Sequence, residues 1–397
     1  MNGQTDPPRL ALLISGLGLG GVQRTMLTLA GGLADRGLAV DLLVPDDRGP
    51  FRDQVPANVR LVNLSRWWLR LPVIRTRKRR KALLMAPAVA AYLRRERPDA
   101  LLSASHYVNL GALWGRDLAG TGTRLVISQR TQLSVAITNS KLPVLHRRPL
   151  LAWLTRRYYP RADAIVAVSD GVADDLAAVA RLPRERVQTV YNPTDVNYIV
   201  RRAAEPAPHP WLEDGGPPVI VAVGRLAAQK DFTTLLRAFA HVLERRPARL
   251  LILGEGGLRP TLEAQVAELG LGAVVAMPGY AENPFSALAR ADLYVMSSRY
   301  EGLPGALIQA LACGCRVVST DCPSGPAEIL DHGRFGRLVP VGDAPALAEA
   351  MLAALETPPD PQRQRERAAQ FSVPRAVDAY LDLLLGDEAV NFRQTAG

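Results

Sequence analysis

The stretch EGLPGALIQALACG, residues 301–314, sets a carboxylate, Glu301, before a Gly/Pro turn and an apolar helical run, with an amide, Gln309, eight positions further on. Backbone N–H groups that open a helix have no partner inside it and attract anions. The turn Gly302, Leu303, Pro304 is therefore expected to seat a phosphate. Glu301 beside it is placed to accept hydrogen bonds from the hydroxyls of a sugar carried by that phosphate. Gln309 lies deep enough in the helix to meet a different part of the same ligand. Upstream, VAVGRLAAQKDF puts Arg225 directly after an apolar strand and its glycine, and Lys230 five residues later. An arginine grips phosphate oxygens in pairs and a lysine adds a point charge, a combination suited to a diphosphate.

The first half offers a competing pattern. Residues 16–21 read GLGLGG, a G-x-G-x-x-G between a strand and a helix, with Asp41 twenty residues after Gly21. That spacing raises the alternative of an NAD-dependent oxidoreductase. Asp41, however, sits early in LAVDLLVP, with three apolar residues after it, and a ribose-binding acid belongs at the strand end. In either reading Gly20 and Gly21 let the backbone approach a ligand at a helix N-terminus. His106, in SASHYVN, follows another strand and is expected to face a cleft. Arg130, in SQRTQLS, is a candidate acceptor contact, and Tyr280, after MPG at a strand end, a candidate neighbour of a nucleobase.

These residues need strands and helices to hold them. Short apolar runs (RLALLISGL, LAVDLLVP, DALLSAS, TRLVISQR, DAIVAVS) alternate with amphipathic stretches, which predicts a parallel sheet covered on both faces. Residues 201–218, RRAAEPAPHPWLEDGGPP, break the pattern and read as a linker. A second series follows: VIVAVGR, ARLLILGEG, AVVAMPGY, ADLYVMSS, CRVVSTD. The expected fold class is α/β, two doubly wound Rossmann-like domains facing each other across a cleft. The first covers 1–200 and the second 219–372. Residues 373–397 form a closing helix and tail, expected to pack back on the first domain. Ligands of such sheets bind outside the carboxyl ends of the strands.

Composition narrows the partners. The chain has 397 residues, 48% of them hydrophobic, and a formal net charge of +10, which favours an acidic partner. RWWLRLPVIRTRKRRK, residues 66–81, carries eight basic residues and no acidic one, interleaved with Trp67 and Trp68. Indoles with lysine and arginine suit an anionic membrane surface. Trp67, Trp68, Arg77, Lys78, Arg79 and Arg80 are the expected contacts. No nucleic-acid module accompanies the patch, so nucleic acid is not expected as a partner. The three cysteines, Cys313, Cys315 and Cys322, include no CxxC pair, which argues against a disulfide framework and a zinc site. No signal-like or membrane-spanning run appears. The expected location is cytoplasmic, peripheral on the inner face of the membrane.

GRLAAQKDFTTLLRAFA, LGEG, MPGYAENPFSALARADLYVMSSRYEGLPGALIQALACGCRVVSTDCPSGPAEIL and GRFGRLVPVGD together resemble the retaining glycosyltransferase family 4, of the GT-B fold. GLGLGGVQRTMLTLAGGLADRG, AVSDGVADDL and VYNPTD carry the likeness through the first half. The resemblance implies transfer of a sugar from a nucleotide-sugar donor, with a UDP-sugar expected, and retention at the anomeric carbon. It implies no metal or other cofactor, because Arg225 and Lys230 neutralise the departing diphosphate. The implied acceptor is a lipid-linked saccharide or other envelope glycan precursor, because STDCPSGPAEIL resembles transferases that extend lipid-linked oligosaccharides. It implies that Glu301 contacts the donor sugar and that His106 does so from the first domain. The family carries a second glutamate, ribose-binding, where this chain has Gln309. A glutamine carbonyl still accepts from a ribose hydroxyl but without charge. The departure leaves a catalytically degenerate, nucleotide-binding copy as a further alternative.

Overall fold

The computed structural model describes residues 7–18, 20–65, 84–138 and 144–395. The chain divides into two compact units, one of residues 1–193 with 373–397 and one of residues 194–372.

The first unit is built on seven parallel strands: β1 (Arg9–Leu13), β2 (Ala39–Val44), β3 (Val59–Asn63), β4 (Ala100–Ala104), β5 (Arg124–Gln129), β6 (Ala164–Ala167) and β7 (Val187–Thr189), in the order β3-β2-β1-β4-β5-β6-β7. Helices α1 (Gly21–Ala34), α2 (Ala86–Glu96), α3 (His106–Ala119), α4 (Leu133–Thr138), α5 (Val144–Tyr158) and α6 (Asp170–Ala180) join them. The central strands are mostly apolar because both faces are covered; every residue of β4 and β6 is buried. The edge strands β3 and β7 were not anticipated. They are short and half exposed, so their sequences lack the apolar run that marks the others.

The second unit carries six parallel strands: β8 (Val219–Val223), β9 (Arg249–Leu253), β10 (Val275–Gly279), β11 (Leu293–Met296), β12 (Val317–Thr320) and β13 (Arg337–Val339), in the order β10-β9-β8-β11-β12-β13. Its helices are α7 (Val196–Ala203), α8 (Phe232–Leu243), α9 (Arg259–Glu268), α10 (Phe285–Arg290), α11 (Gly305–Ala312), α12 (Pro326–Ile329), α13 (Ala344–Glu356) and α14 (Pro361–Ala369). Residues 201–218, expected as a linker, instead belong to this unit. They begin inside α7, capped by Asp195, whose carboxylate accepts from the Tyr198 amide at 2.8 Å. Asn283 donates to the Arg202 carbonyl and to Glu205, each at 2.8 Å, and Arg249 pairs with Asp214 at 2.6 Å. Proline and glycine here mark turns of a packed segment. The boundary falls at 193/194 rather than 200.

After α14 the chain returns to the first unit as α15 (Val373–Leu385) and α16 (Glu388–Thr395). Val377, Tyr380, Leu381 and Leu384 of α15 enter the core that β1, β2 and α1 build. Gly32 of α1 makes this contact close: a Cβ there would stand 2.7 Å from Val377 Cγ2 and 2.8 Å from Val373 Cγ1.

In both sheets the strand order reverses once, between β1 and β4 and between β8 and β11. There neighbouring crossovers leave to opposite faces, and the loops at the carboxyl ends part to form a crevice. Gly20, Gly21 and His106 follow β1 and β4; Arg225, Lys230 and Glu301 follow β8 and β11. The described residues contain no helix long and apolar enough to cross a membrane.

Candidate active site

In the second unit the loop after β8 and the loop after β11 are stitched together. Arg299 N donates to Gln229 O at 2.8 Å and Ser297 Oγ to Lys230 O at 2.7 Å. Asp231, buried and in the left-handed region at φ 47°, holds Arg299 Nε at 3.0 Å. The stem of Lys230 lies over Gly224, where a Cβ would meet its Cε at 3.0 Å. Its ammonium is thereby delivered to Glu301, with Nζ 2.7 Å from Oε1.

Glu301 is 9% exposed and well supplied with donors. Oε1 also accepts from Ser298 Oγ at 2.8 Å, and Oε2 accepts from Gln229 Nε2 at 3.3 Å. A carboxylate offers about four acceptor positions, so one on Oε2 remains for a ligand hydroxyl. Among the described residues Lys230 likewise keeps two of its three N–H donors beyond Glu301. Burial first, and then the Glu301 carboxylate, push the Cys322 thiol up to about 12. The Tyr294 hydroxyl is pushed up by the same two causes.

The turn after Glu301 is braced by the segment 323–326. Glu301 N donates to Pro323 O at 2.8 Å, Ser324 Oγ to Gly302 O at 3.1 Å, and a Cβ on Gly325 (φ 98°) would meet Gly302 O at 2.8 Å. Only glycine fits that approach. Pro304 then caps α11, and the amides of Leu303, Gly305 and Ala306 donate to nothing among the described residues. Open amides and the helix dipole make this an anion seat. Arg225 is exposed and has no ion pair or hydrogen bond among the described residues. Gln309 is half-buried on α11, and its amide side chain has no partner among the described residues. Tyr280 is 57% exposed just beyond β10.

In the first unit Gly20 caps α1 in extended conformation, and the amides of Gly21, Val22 and Gln23 donate to nothing among the described residues. Asp41 does not look toward this loop. It is buried in the middle of β2, holding Arg60 Nε at 2.7 Å and the Tyr92 hydroxyl at 2.5 Å. It is therefore committed to a structural ion cluster and is not available to a ribose.

His106 opens α3 and is buried. Gln129 Nε2 donates to Thr131 O at 2.8 Å, turning Oε1 toward the Tyr159 hydroxyl, which donates to it at 3.4 Å. Asn109 Nδ2 donates to that hydroxyl at 3.2 Å, and its remaining lone pair faces His106 Nδ1 at 2.9 Å. The contact between the Tyr159 hydroxyl and Nδ1 fixes the orientation of the His106 ring. Burial pushes the Tyr159 hydroxyl up, so it stays protonated.

Arg130 is 6% exposed. Its guanidinium meets only neutral partners among the described residues: Asn192 Oδ1 at 2.7 Å, Ser128 Oγ at 3.2 Å and the Tyr380 hydroxyl at 3.5 Å. Burial lowers its pKa. It ties β5 to α15 and to the strand-end segment before residue 193. The expected membrane contacts Trp67, Trp68, Arg77, Lys78, Arg79 and Arg80 lie outside the described residues.

Comparison with known proteins decides the family. The model for Glycosyltransferase Family 4 matches residues 19–198, and that for Glycosyl transferases group 1 matches residues 204–371. A Campylobacter jejuni relative, N-acetylgalactosamine-N,N'-diacetylbacillosaminyl-diphospho-undecaprenol 4-alpha-N-acetylgalactosaminyltransferase, is 30% identical over 349 residues, 88% of this chain and 90% of that one. The chain belongs to glycosyltransferase family 4. The lipopolysaccharide core biosynthesis glycosyltransferase LpsE of Rhizobium meliloti is 28% identical over 375 residues, 92% of this chain and 96% of its own. HepE of Anabaena, solved in complex with UDP, superimposes with a TM-score of 0.74 over 95% of this chain and 99% of that one at 19% identity. A glycosyltransferase from Rickettsia africae gives 0.77 over 97% and 99% at 15% identity. These likenesses give the GT-B fold.

As a glycosyltransferase the chain carries supports that spacing alone did not reveal: Gln229 and Ser298 on Glu301, the 323–326 brace, and Asn109, Gln129 and Tyr159 behind His106. Ser298 is three residues before Glu301, a signal available in SSRYEG. Asn109 is three residues after His106, a signal available in SHYVN; the others act across the fold, from sequence distances of 20 residues or more, and left no local signature.

Proposed function

We propose that the protein is a retaining glycosyltransferase that moves a sugar from a UDP-sugar to a lipid-linked saccharide or other envelope glycan precursor. The observation that carries this reading is the Lys230–Glu301 pair set beside the open N-terminus of α11. Cation, open amides and the free Arg225 suit a diphosphate; a desolvated carboxylate with one acceptor position left suits a sugar hydroxyl. The bond from the anomeric carbon to the diphosphate oxygen breaks with its electron pair going to the diphosphate. The charge that develops there is met by Arg225, by the spare donors of Lys230 and by the amides of Leu303, Gly305 and Ala306. The acceptor hydroxyl attacks from the face the diphosphate leaves and passes its proton to the departing oxygen. No metal is needed in this scheme, because the positive charge is already in place. By the family resemblance, His106 contacts the donor sugar, Gln309 the ribose, and Tyr280 the nucleobase. Gly20 and Gly21 let the backbone approach the donor at the N-terminus of α1.

The UDP assignment draws support from HepE, solved with UDP, and the lipid-linked acceptor from the diphospho-undecaprenol substrate in the name of the C. jejuni relative. Such an acceptor is the support for a peripheral location on the cytoplasmic face of the membrane. The test is a panel of nucleotide sugars and NAD(H) scored by thermal stabilisation, since a ligand that binds only the folded state raises its melting temperature. UDP and one UDP-sugar are expected to protect. Protection by NAD(H) and by no nucleoside diphosphate overturns the reading, and binding without turnover of any donor identifies a degenerate copy.

A further inference from the structure

Helix α5 buries one side and leaves the other unfinished. Leu151 and Thr155 point inward, at 9% and 0% exposure, where the helix packs on α3, α4 and α6. Leu150 and Trp153, three residues apart and so on one face, are 50% and 54% exposed. Large apolar side chains paired on a helix surface mark a contact.

The charge around them says with what. From 131 to 162 the chain has no aspartate or glutamate, while Lys141, Arg147, Arg148, Arg156, Arg157 and Arg161 fall in that stretch. Arg157 is exposed and follows Trp153 by one turn, its guanidinium 5.6 Å from the Tyr158 ring centre. The acids that flank the stretch are neutralised: Asp117 pairs with Arg161 at 2.7 Å and Asp163 with Arg116 at 2.8 Å. An exposed indole and leucine, with the exposed Arg157 one turn on and no acidic residue in this stretch of sequence, complement the headgroup layer of an anionic bilayer. We propose that the Leu150/Trp153 face of α5 is a membrane-docking surface that inserts these two side chains among anionic lipid headgroups. The proposal rests on the peripheral-membrane reading above and deepens it by naming the element that makes contact.

The test is co-sedimentation of the full chain with vesicles of phosphatidylcholine containing phosphatidylglycerol, and of phosphatidylcholine alone. Wild type is expected to bind the anionic vesicles only. Leu150→Ser with Trp153→Ser is expected to weaken that binding by roughly tenfold or more. Arg157→Gln is expected to weaken it by about fivefold at low salt and less as salt rises. Because all three side chains are exposed, an unchanged melting temperature and unchanged UDP binding verify that the variants are folded. Wild-type affinity in the double serine variant overturns the proposal. If only the Arg77, Lys78, Arg79 and Arg80 to Gln variant is released, the proposal falls and the membrane reading stands. If wild type binds neither vesicle, both fall. If the serine variant changes oligomeric state but not vesicle binding, the face joins two copies and the proposal falls. Transfer to a water-soluble acceptor, measured in parallel, reports separately on the glycosyltransferase reading.

Discussion

Arg225 and Lys230 are five residues apart and serve one proposed ligand, yet their surroundings differ. Arg225 is exposed and unpaired among the described residues, whereas Lys230 neutralises a desolvated carboxylate. Substituting either with alanine is expected to weaken UDP binding by roughly 1.5–3 kcal/mol, the value of a charged hydrogen bond. Calorimetry then separates them. Arg225→Ala is expected to melt as wild type does. Lys230→Ala is expected to lose about 3 kcal/mol of stability, because Glu301 is left buried without its cation. Equal stability of the two variants contradicts the geometry described here. Gln309 poses a finer question. Its side chain has no partner among the described residues, so Gln309→Glu adds a charged acceptor without breaking a bond. The donor KM is expected to fall and kcat to change little, since the ribose is remote from the bond that breaks. The same shift with a 2′-deoxyribose donor shows that the residue does not touch the 2′-hydroxyl.

At the scale of elements, α15 is the piece that closes the first core, and Gly32 is the narrowest point of its contact with α1. Gly32→Ala is expected to cost about 1–3 kcal/mol by forcing the helices apart. Gly122→Ala, where a Cβ meets nothing within 4 Å, serves as the control and is expected to lie within about 0.5 kcal/mol of wild type. Equal melting of both variants removes the packing argument. The sequence carries much of this architecture. Buried parallel strands announce themselves as apolar runs, and the Gly/Pro turn before α11 announces a helix start. The edge strands β3 and β7 are hidden because one polar face dilutes the run. Residues 201–218 misled for a related reason: proline and glycine record turns, and only tertiary contacts such as Asn283 to Glu205 reveal that the turns are packed. Arg130 likewise reads as a strand-end cation open to ligand, but α15, 250 residues away, supplies the tyrosine that buries it.

At the scale of the whole molecule, two doubly wound sheets each present their switch-point loops with chemistry on them, and the family assignment makes that chemistry sugar transfer. Because the proposed site supplies its own cations, chelation with EDTA is expected to leave the transfer rate unchanged; a rate restored only by a divalent ion contradicts that expectation. In the proposed mechanism acceptor and leaving group share one face of the sugar, next to Glu301 and the α11 N-terminus. The most direct test is the anomeric configuration of the product, read by proton NMR from the coupling of the new anomeric hydrogen after transfer from the stabilising UDP-sugar. The proposed mechanism predicts the configuration of the donor, and it predicts that Glu301→Ala, which still binds UDP, forms no product. An inverted anomeric centre, or normal turnover by Glu301→Ala, would contradict it.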